Sequence, residues 1–295
     1  MVVEIDCIVD AKAECGESPV WCPSEQRLYW VDIDGKALHR FDPATGRNDT
    51  WPMPEEIGCI ALRRSGGLLA GMRSGYFGID LETGSATRLG DPEPDKPDNR
   101  FNDGAVDPAG RFWAGTMRMS AADRTDDGVL YRIDADHSCR AVLGQLWTVN
   151  GLAFSPDGRR MYLSDTNAHV QTIWAFDYDR DDGVAANRRV FATMHDLAGR
   201  PDGGAVDADG CYWTAGVGGW QLVRFTPDGD VDRIIDLPVE RPSKIAFGGP
   251  DLDLMYVTSI RRGITPGTLD RQPQAGGLFV VWAGVAGVAT PRFAG

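Results

Sequence analysis

Four oxygen-bearing side chains recur at one point of a repeated phrase. They are Glu17 in GESPVWCPSEQRLYWVDI, Asn102 in NDGAVDPAGRFWAGTM, Asn150 in NGLAFSPDGRRMYLSDT and Asp202 in DGGAVDADGCYWTAG. Each phrase contains an apolar pair, which serves as a ruler. Glu17 lies 12 residues before Tyr29, Asn102 lies 10 before Phe112, Asn150 lies 11 before Met161 and Asp202 lies 10 before Tyr212. Weaker copies, GCIALRRSGGLLAGM and SKIAFGGPDLDLMYVTS, put Gly58 and Lys244 near the same phase. If each copy is one unit around a common axis, two carboxylates and two carboxamides meet there. Converging carboxylates repel unless they are protonated or bridged by a cation. A hard divalent metal with oxygen ligands resolves that repulsion. The four histidines (His39, His137, His169, His195) show no HExxH or paired spacing, which argues against an imidazole-rich zinc centre. By ligand softness the set fits Ca²⁺, Mg²⁺ or Mn²⁺, and geometry could admit Zn²⁺ or Fe²⁺.

Asn or Asp before Gly is also common turn chemistry, and any one of these motifs alone could be that. Four at one phase, one of them a Glu that favours no such turn, point to a site. SPDG at Ser155 and TPDG at Thr226 show the other case. They fall between strands, so Asp157 and Asp228 read as turn residues.

The elements that must position this ring are short strands. Aligned on Tyr29-Trp30, Leu68-Leu69, Phe112-Trp113, Met161-Tyr162, Tyr212-Trp213 and Met255-Tyr256, the copies repeat after 39, 44, 49, 51 and 43 residues. That is the period of a four-stranded propeller blade. A short apolar strand, a Gly-ended turn, the aromatic strand and a third strand such as GVLYRID recur in each unit, and no segment reads as an amphipathic helix of ten or more residues. The expected fold is all-β: a single six-bladed β-propeller over residues 1–295, with four-stranded blades. Glu4 to Val9 is expected to pair beside Gly277 to Trp282, closing the ring through its N- and C-terminal strands.

Composition narrows the partners. The net charge is −13 with no basic run, which disfavours nucleic acid. No stretch approaches the length of an apolar membrane span, and the N-terminus lacks a basic region followed by an apolar core. The six cysteines (Cys7, Cys15, Cys22, Cys59, Cys139, Cys211) form no CxxC pair and read as free, mostly buried thiols. The expected location is the cytoplasm.

GESPVW, RFNDGAVDPAGRFWAGTM, NGLAFSPDG and RPDGGAVDADGCYWTA resemble, in order and spacing, the signature segments of the senescence marker protein/gluconolactonase family, also called regucalcin-like. The resemblance runs from about Cys15 to Val280. It implies a single divalent metal and hydrolysis of sugar lactones. It also implies Glu17, Asn150 and Asp202 as metal ligands, Asp202 as general base, and Arg100 and Asn102 as substrate contacts. Some members carry a substrate-contacting acid just after the GTM segment. Here Arg118-Met119-Ser120 follow, so Arg118 and Ser120 are the candidate contacts in its place.

On this reading the metal polarises the lactone carbonyl, and either Asp202 or a metal-bound hydroxide activates the water. The partner is a small sugar lactone, neutral, uronic or sulfonated, and the protein is a monomer or weak homo-oligomer. Lys244 reaches the ring phase and is a further substrate candidate, whereas Arg241, Arg261 and Arg262 read as solvated loop charge. Two readings from other classes remain: a non-enzymatic calcium-binding or interaction propeller, and a paraoxonase-like esterase. The latter expects a secretion signal and an apolar lid.

Overall fold

The computed structural model describes residues 3–120 and 125–295. Six four-stranded antiparallel sheets form the fold, and each of the first five takes its strands in chain order. Their first strands are Gly16–Cys22, Ile57–Leu62, Asn99–Val106, Val149–Phe154 and Arg200–Val206. The sixth sheet begins with Pro242–Gly248 and runs outward through Leu254–Ser259 and Leu278–Val281 to the N-terminal strand Ile5–Val9. Each first strand packs on the first strand of the next blade, and that of blade 6 packs on blade 1, so the ring is closed. The expected terminal pairing is present, with Ile5 opposite Val281 and Cys7 opposite Phe279. This is the six-bladed propeller that the repeat predicts. The only helix among the described residues is the four-residue Pro266–Leu269.

The repeat builds blades through two kinds of residue. Turn chemistry joins neighbouring strands: Gly110, Gly158 and Gly210, between first and second strands, and Gly229, between a third and a fourth, take φ of 96°, 67°, 82° and 97° at the ends of DPAG, SPDG, DADG and TPDG. A side chain is disfavoured there, because its Cβ crowds the backbone at positive φ. Asp157 behaves as a turn residue, its Oδ1 accepting the Arg159 N–H at 3.0 Å. The aromatic strand then fills the space between blades. Tyr29, Trp30, Phe112, Trp113, Tyr162, Tyr212, Trp213 and Tyr256 are all buried. Truncating one such ring to Ala costs roughly 3–5 kcal/mol. Fourth strands are the exposed rims, as in Val231–Asp236.

The segment after the last strand was not assigned from sequence, and it straps the rear face. Ala286 accepts from the Ala208 N–H (2.9 Å), Phe293 donates to Leu62 (2.8 Å) and Ala294 donates to Gly110 (2.9 Å). Phe293 is fully buried and stacks near His137. The strap thereby ties blades 5, 2 and 3 together.

Candidate active site

The site residues sit where the first strands lose register. The pairing slips between Glu17 and Val20, Phe101 and Gly104, Asn150 and Ala153, and Pro201 and Gly204. A bulge kinks the strand and re-aims its side chains. Ser18 and Gly151, directly after Glu17 and Asn150, have φ of 47° and 61°. As the phase count predicts, Glu17, Asn102, Asn150 and Asp202 come together at one mouth of the axial channel. They line a cavity of roughly 520 Å³ with Arg100, Thr148, Thr166, Arg200, Arg241 and Arg262.

Hydrogen bonds fix the ring. Asn102 Nδ2 donates to Val149 O (2.9 Å) and Asn150 Oδ1 (3.1 Å), while its Oδ1 accepts from Arg100 Nη1 (2.6 Å). Asn150 Nδ2 donates to Thr166 Oγ1 (2.7 Å) and Asp202 Oδ1 (2.6 Å). Glu17 Oε2 accepts from the Ser18 N–H at 2.8 Å. Among the described residues, Glu17 Oε1 and Asp202 Oδ2 carry no hydrogen bond, and neither carboxylate has an ion-pair partner. The ring therefore presents two spare carboxylate oxygens to the cavity.

Electrostatics makes that arrangement costly without a counter-charge. Burial, then repulsion from Asp103, pushes Glu17 up from 4.5 to about 7. Asp202 lies well above the usual carboxylate range, through burial first and then repulsion from Glu17 and Asp103. Both shifts have the sign expected of carboxylates crowded in a poorly solvated place. Arg100 is equally enclosed, 6% exposed, and burial lowers its pKa.

Three expected contacts lie elsewhere. Lys244 is not in the ring; Ser243 holds the blade 6 position, its Oγ donating to Gly16 O at 2.5 Å. Lys244 lies one residue deeper, passing over Gly203 so closely that a Cβ there would collide with its Cγ. Its Nζ donates to Asp103 Oδ1 and, at 3.0 Å, to Gly104 O. Burial opposes this ammonium, but Asp103 and Glu17 outweigh it and hold its pKa above the ordinary value. Lys244 lines a second cavity of roughly 210 Å³ at the rear, with Gly104, Phe247 and Val288. The Asp103–Lys244 pair thus plugs the channel between its two mouths. Arg118 is held by Asp127 (3.3 Å) and Asp98 (3.4 Å) outside the front cavity, and Ser120 does not line it.

Sequence reasoning passed over Asp103 and Arg200. Asp103 stands in the quoted NDG motif, but only the strand register shows that it faces inward, with Oδ2 accepting the Leu152 N–H at 3.0 Å. Arg200 precedes Asp202 by two residues, as Arg100 precedes Asn102, and that parallel was available in the sequence. Arg241 and Arg262, read as loop charge, both line the cavity.

The SMP-30/Gluconolactonase/LRE-like region matches residues 15–261. The 6-deoxy-6-sulfogluconolactonase of Pseudomonas putida is 42% identical over 291 residues, covering 99% of each chain. Human (Homo sapiens) regucalcin is 36% identical over 298 residues, again covering 99% of each. The crystal structure of a calcium-binding protein, regucalcin, from Agrobacterium tumefaciens matches with a TM-score of 0.92 at 28% identity, covering 97% of this chain and 96% of that one. Motifs, fold and relatives agree, and the chain belongs to the SMP-30/gluconolactonase/LRE-like family.

Proposed function

We propose that this protein hydrolyses a sugar lactone to the corresponding aldonic acid with the help of one divalent cation. The observation that carries the reading is the pair of buried carboxylates, Glu17 and Asp202, each with an oxygen free of hydrogen bonds and each pushed up in pKa. Their donor set, completed by the Asn150 carboxamide, fits a hard divalent ion, which would relieve the repulsion that raises both groups. Among the described residues no three Cys, His, Asp or Glu side chains gather as a metal cluster, and the proposed set instead pairs two carboxylates with one carboxamide. The relatives support both halves of the reading: one is a sugar-acid lactonase and another a calcium-binding regucalcin.

When bound, the cation supplies Lewis acidity towards the lactone carbonyl oxygen. The remaining work falls to the chain's own groups. Asp202 would take the proton as the water oxygen bonds to the carbonyl carbon. It would return a proton to the ring oxygen as the acyl C–O bond opens. Asn150 Nδ2, at 2.6 Å from Asp202 Oδ1, holds that carboxylate in one orientation. Asn102 has both amide hydrogens engaged, so it acts as a clamp that fixes Asn150 and Arg100 and meets substrate through Oδ1 alone. Arg100 uses Nη1 for Phe101 O (2.9 Å) and Asn102 Oδ1, leaving its other N–H groups for substrate oxygens. The six thiols are unpaired and four are buried, which suits a cytoplasmic enzyme. No described helix is long and apolar enough to cross a membrane.

A pH-indicator screen of aldonolactones tests the proposal. Metal-stripped protein is re-supplied with Ca²⁺, Mg²⁺, Mn²⁺, Zn²⁺ and Fe²⁺ in turn. Acid release should require a cation and should vanish in Asp202→Ala. No acid release from any sugar lactone with any cation would defeat it.

A further inference from the structure

Three arginines occupy one structural position in three blades. In blade 3 the inner strand reads Arg100-Phe101-Asn102-Asp103-Gly104, with Phe101 opposite Thr116 and Gly104 opposite Ala114 across its bulge. In blade 5 it reads Arg200-Pro201-Asp202-Gly203-Gly204, with Pro201 opposite Gly216 and Gly204 opposite Thr214. In blade 6 it reads Arg241-Pro242-Ser243-Lys244-Ile245, with Pro242 opposite Ser259 and Ile245 opposite Val257. The three bulges share one register, residue for residue. Arg100, Arg200 and Arg241 are therefore equivalent, each two residues outward from the ring position held by Asn102, Asp202 or Ser243. Two residues along a strand is about 6–7 Å, and all three side chains line the front cavity.

The pairing of these cations is incomplete. Arg100 is 6% exposed, yet its hydrogen bonds go to a carbonyl and a carboxamide, not to a carboxylate. No described residue hydrogen-bonds or ion-pairs the Arg200 guanidinium, which is exposed at the mouth within electrostatic reach of Asp202. Arg241 gives its Nη atoms to the Arg262 and Gly263 carbonyls and meets Glu240 only at 3.6 Å. Arg262, by contrast, is matched by Asp34 at 2.5 Å. On a chain of net charge −13, a ring of three under-compensated arginines at one cavity is a local inversion of sign. Once a cation neutralises Glu17 and Asp202, the cavity as a whole is positive.

We infer that Arg200 and Arg241, with Arg100, form an anion subsite that selects aldonolactones bearing an acidic group at the end remote from the carbonyl. This deepens the lactonase reading and rests on it for the orientation of the substrate. The chemistry recognised is an oxyanion, for which arginine's planar fork is suited, and sulfonate, phosphate and carboxylate all supply it. Arg200 is the specificity-determining member, because its guanidinium has no other partner among the described residues.

The test compares a neutral aldonolactone with its 6-sulfonate, 6-phosphate and 6-carboxylate counterparts, in wild type, Arg200→Gln, Arg200→Lys and Arg241→Gln. Calorimetry of the four hydrolysed aldonates runs in parallel. Wild type should favour at least one acidic lactone, and the ranking identifies the anion. Arg200→Gln should raise KM for that lactone by about 10- to 100-fold, leave kcat and the neutral lactone within about twofold, and be partly rescued by Arg200→Lys. Equal effects on neutral and acidic lactones, or no preference in wild type, would overturn the subsite. Should no lactone be turned over, the lactonase reading fails, and the binding arm still decides the subsite. Tighter binding of an acidic aldonate to wild type than to Arg200→Gln upholds it, and equal binding rejects it.

Discussion

The sharpest energetic consequence concerns Glu17 in protein stripped of metal. Its carboxyl is pushed from 4.5 to about 7 by burial and by Asp103. A folded-state pKa above the unfolded value means that the fold prefers the protonated form. The associated stability is fully present below about pH 4.5 and is lost as pH rises through about 7. At about 1.4 kcal/mol per pKa unit, the loss is about 3 kcal/mol. Glu17→Gln keeps the shape and the Ser18 N–H acceptor but cannot ionise. Urea unfolding of both proteins in chelator, from pH 4.5 to 8.5, reads the difference directly. The variant should match wild type at the acid end and exceed it by about 3 kcal/mol at the alkaline end, about 5 °C in Tm for a chain of this size. A divalent cation at about a hundred times its Kd should then stabilise wild type by about 2.7 kcal/mol and leave the variant unmoved. Parallel stability curves across the pH range would refute the claim that Glu17 is held uncompensated.

Other consequences follow from the channel and from the closure. Lys244→Met strands the buried Asp103 carboxylate and should cost roughly 3–5 kcal/mol, measured by denaturant unfolding; adding Asp103→Asn should recover most of it. A double-mutant cycle with additive effects would show that the pair does not couple. Removing residues 1–9 deletes the strand that pairs with Leu278–Val281, so the whole propeller should melt early in calorimetry, and a normal melt would show that closure does not need it. Phe293→Ala empties a fully buried place under the C-terminal strap and should lower stability by roughly 3–5 kcal/mol without changing cation affinity.

The blades were legible because each carries its own turn and aromatic signals, repeated often enough to fix a period. Glu17, Asn102, Asn150 and Asp202 were legible for a related reason: a closed repeat turns equal phase into equal height on one axis. Lys244 shows where counting fails. The blade 6 hairpin has one more pair, Gly248 opposite Leu254, before its turn than blade 5, where pairing ends at Val206 opposite Tyr212. Its ring position is thus Ser243, 12 residues before Met255, and a slip of one residue sends a side chain to another depth and direction. Asp103 was hidden by the ambiguity of NDG, which serves turns and buried sites alike. Arg118 faces Asp98 and Asp127, partners that only the fold brings close. The C-terminal strap carries no repeat, so nothing in its sequence announced it.

On the proposed reading, the opening residues of the blades hold one divalent cation and lactone hydrolysis depends on it. The decisive experiment adds the activating cation stepwise to metal-stripped protein and follows turnover at each step. Activity should rise linearly to one equivalent and then stay flat, with no such rise in Asp202→Ala. Full lactone turnover by protein verified free of metal would contradict it.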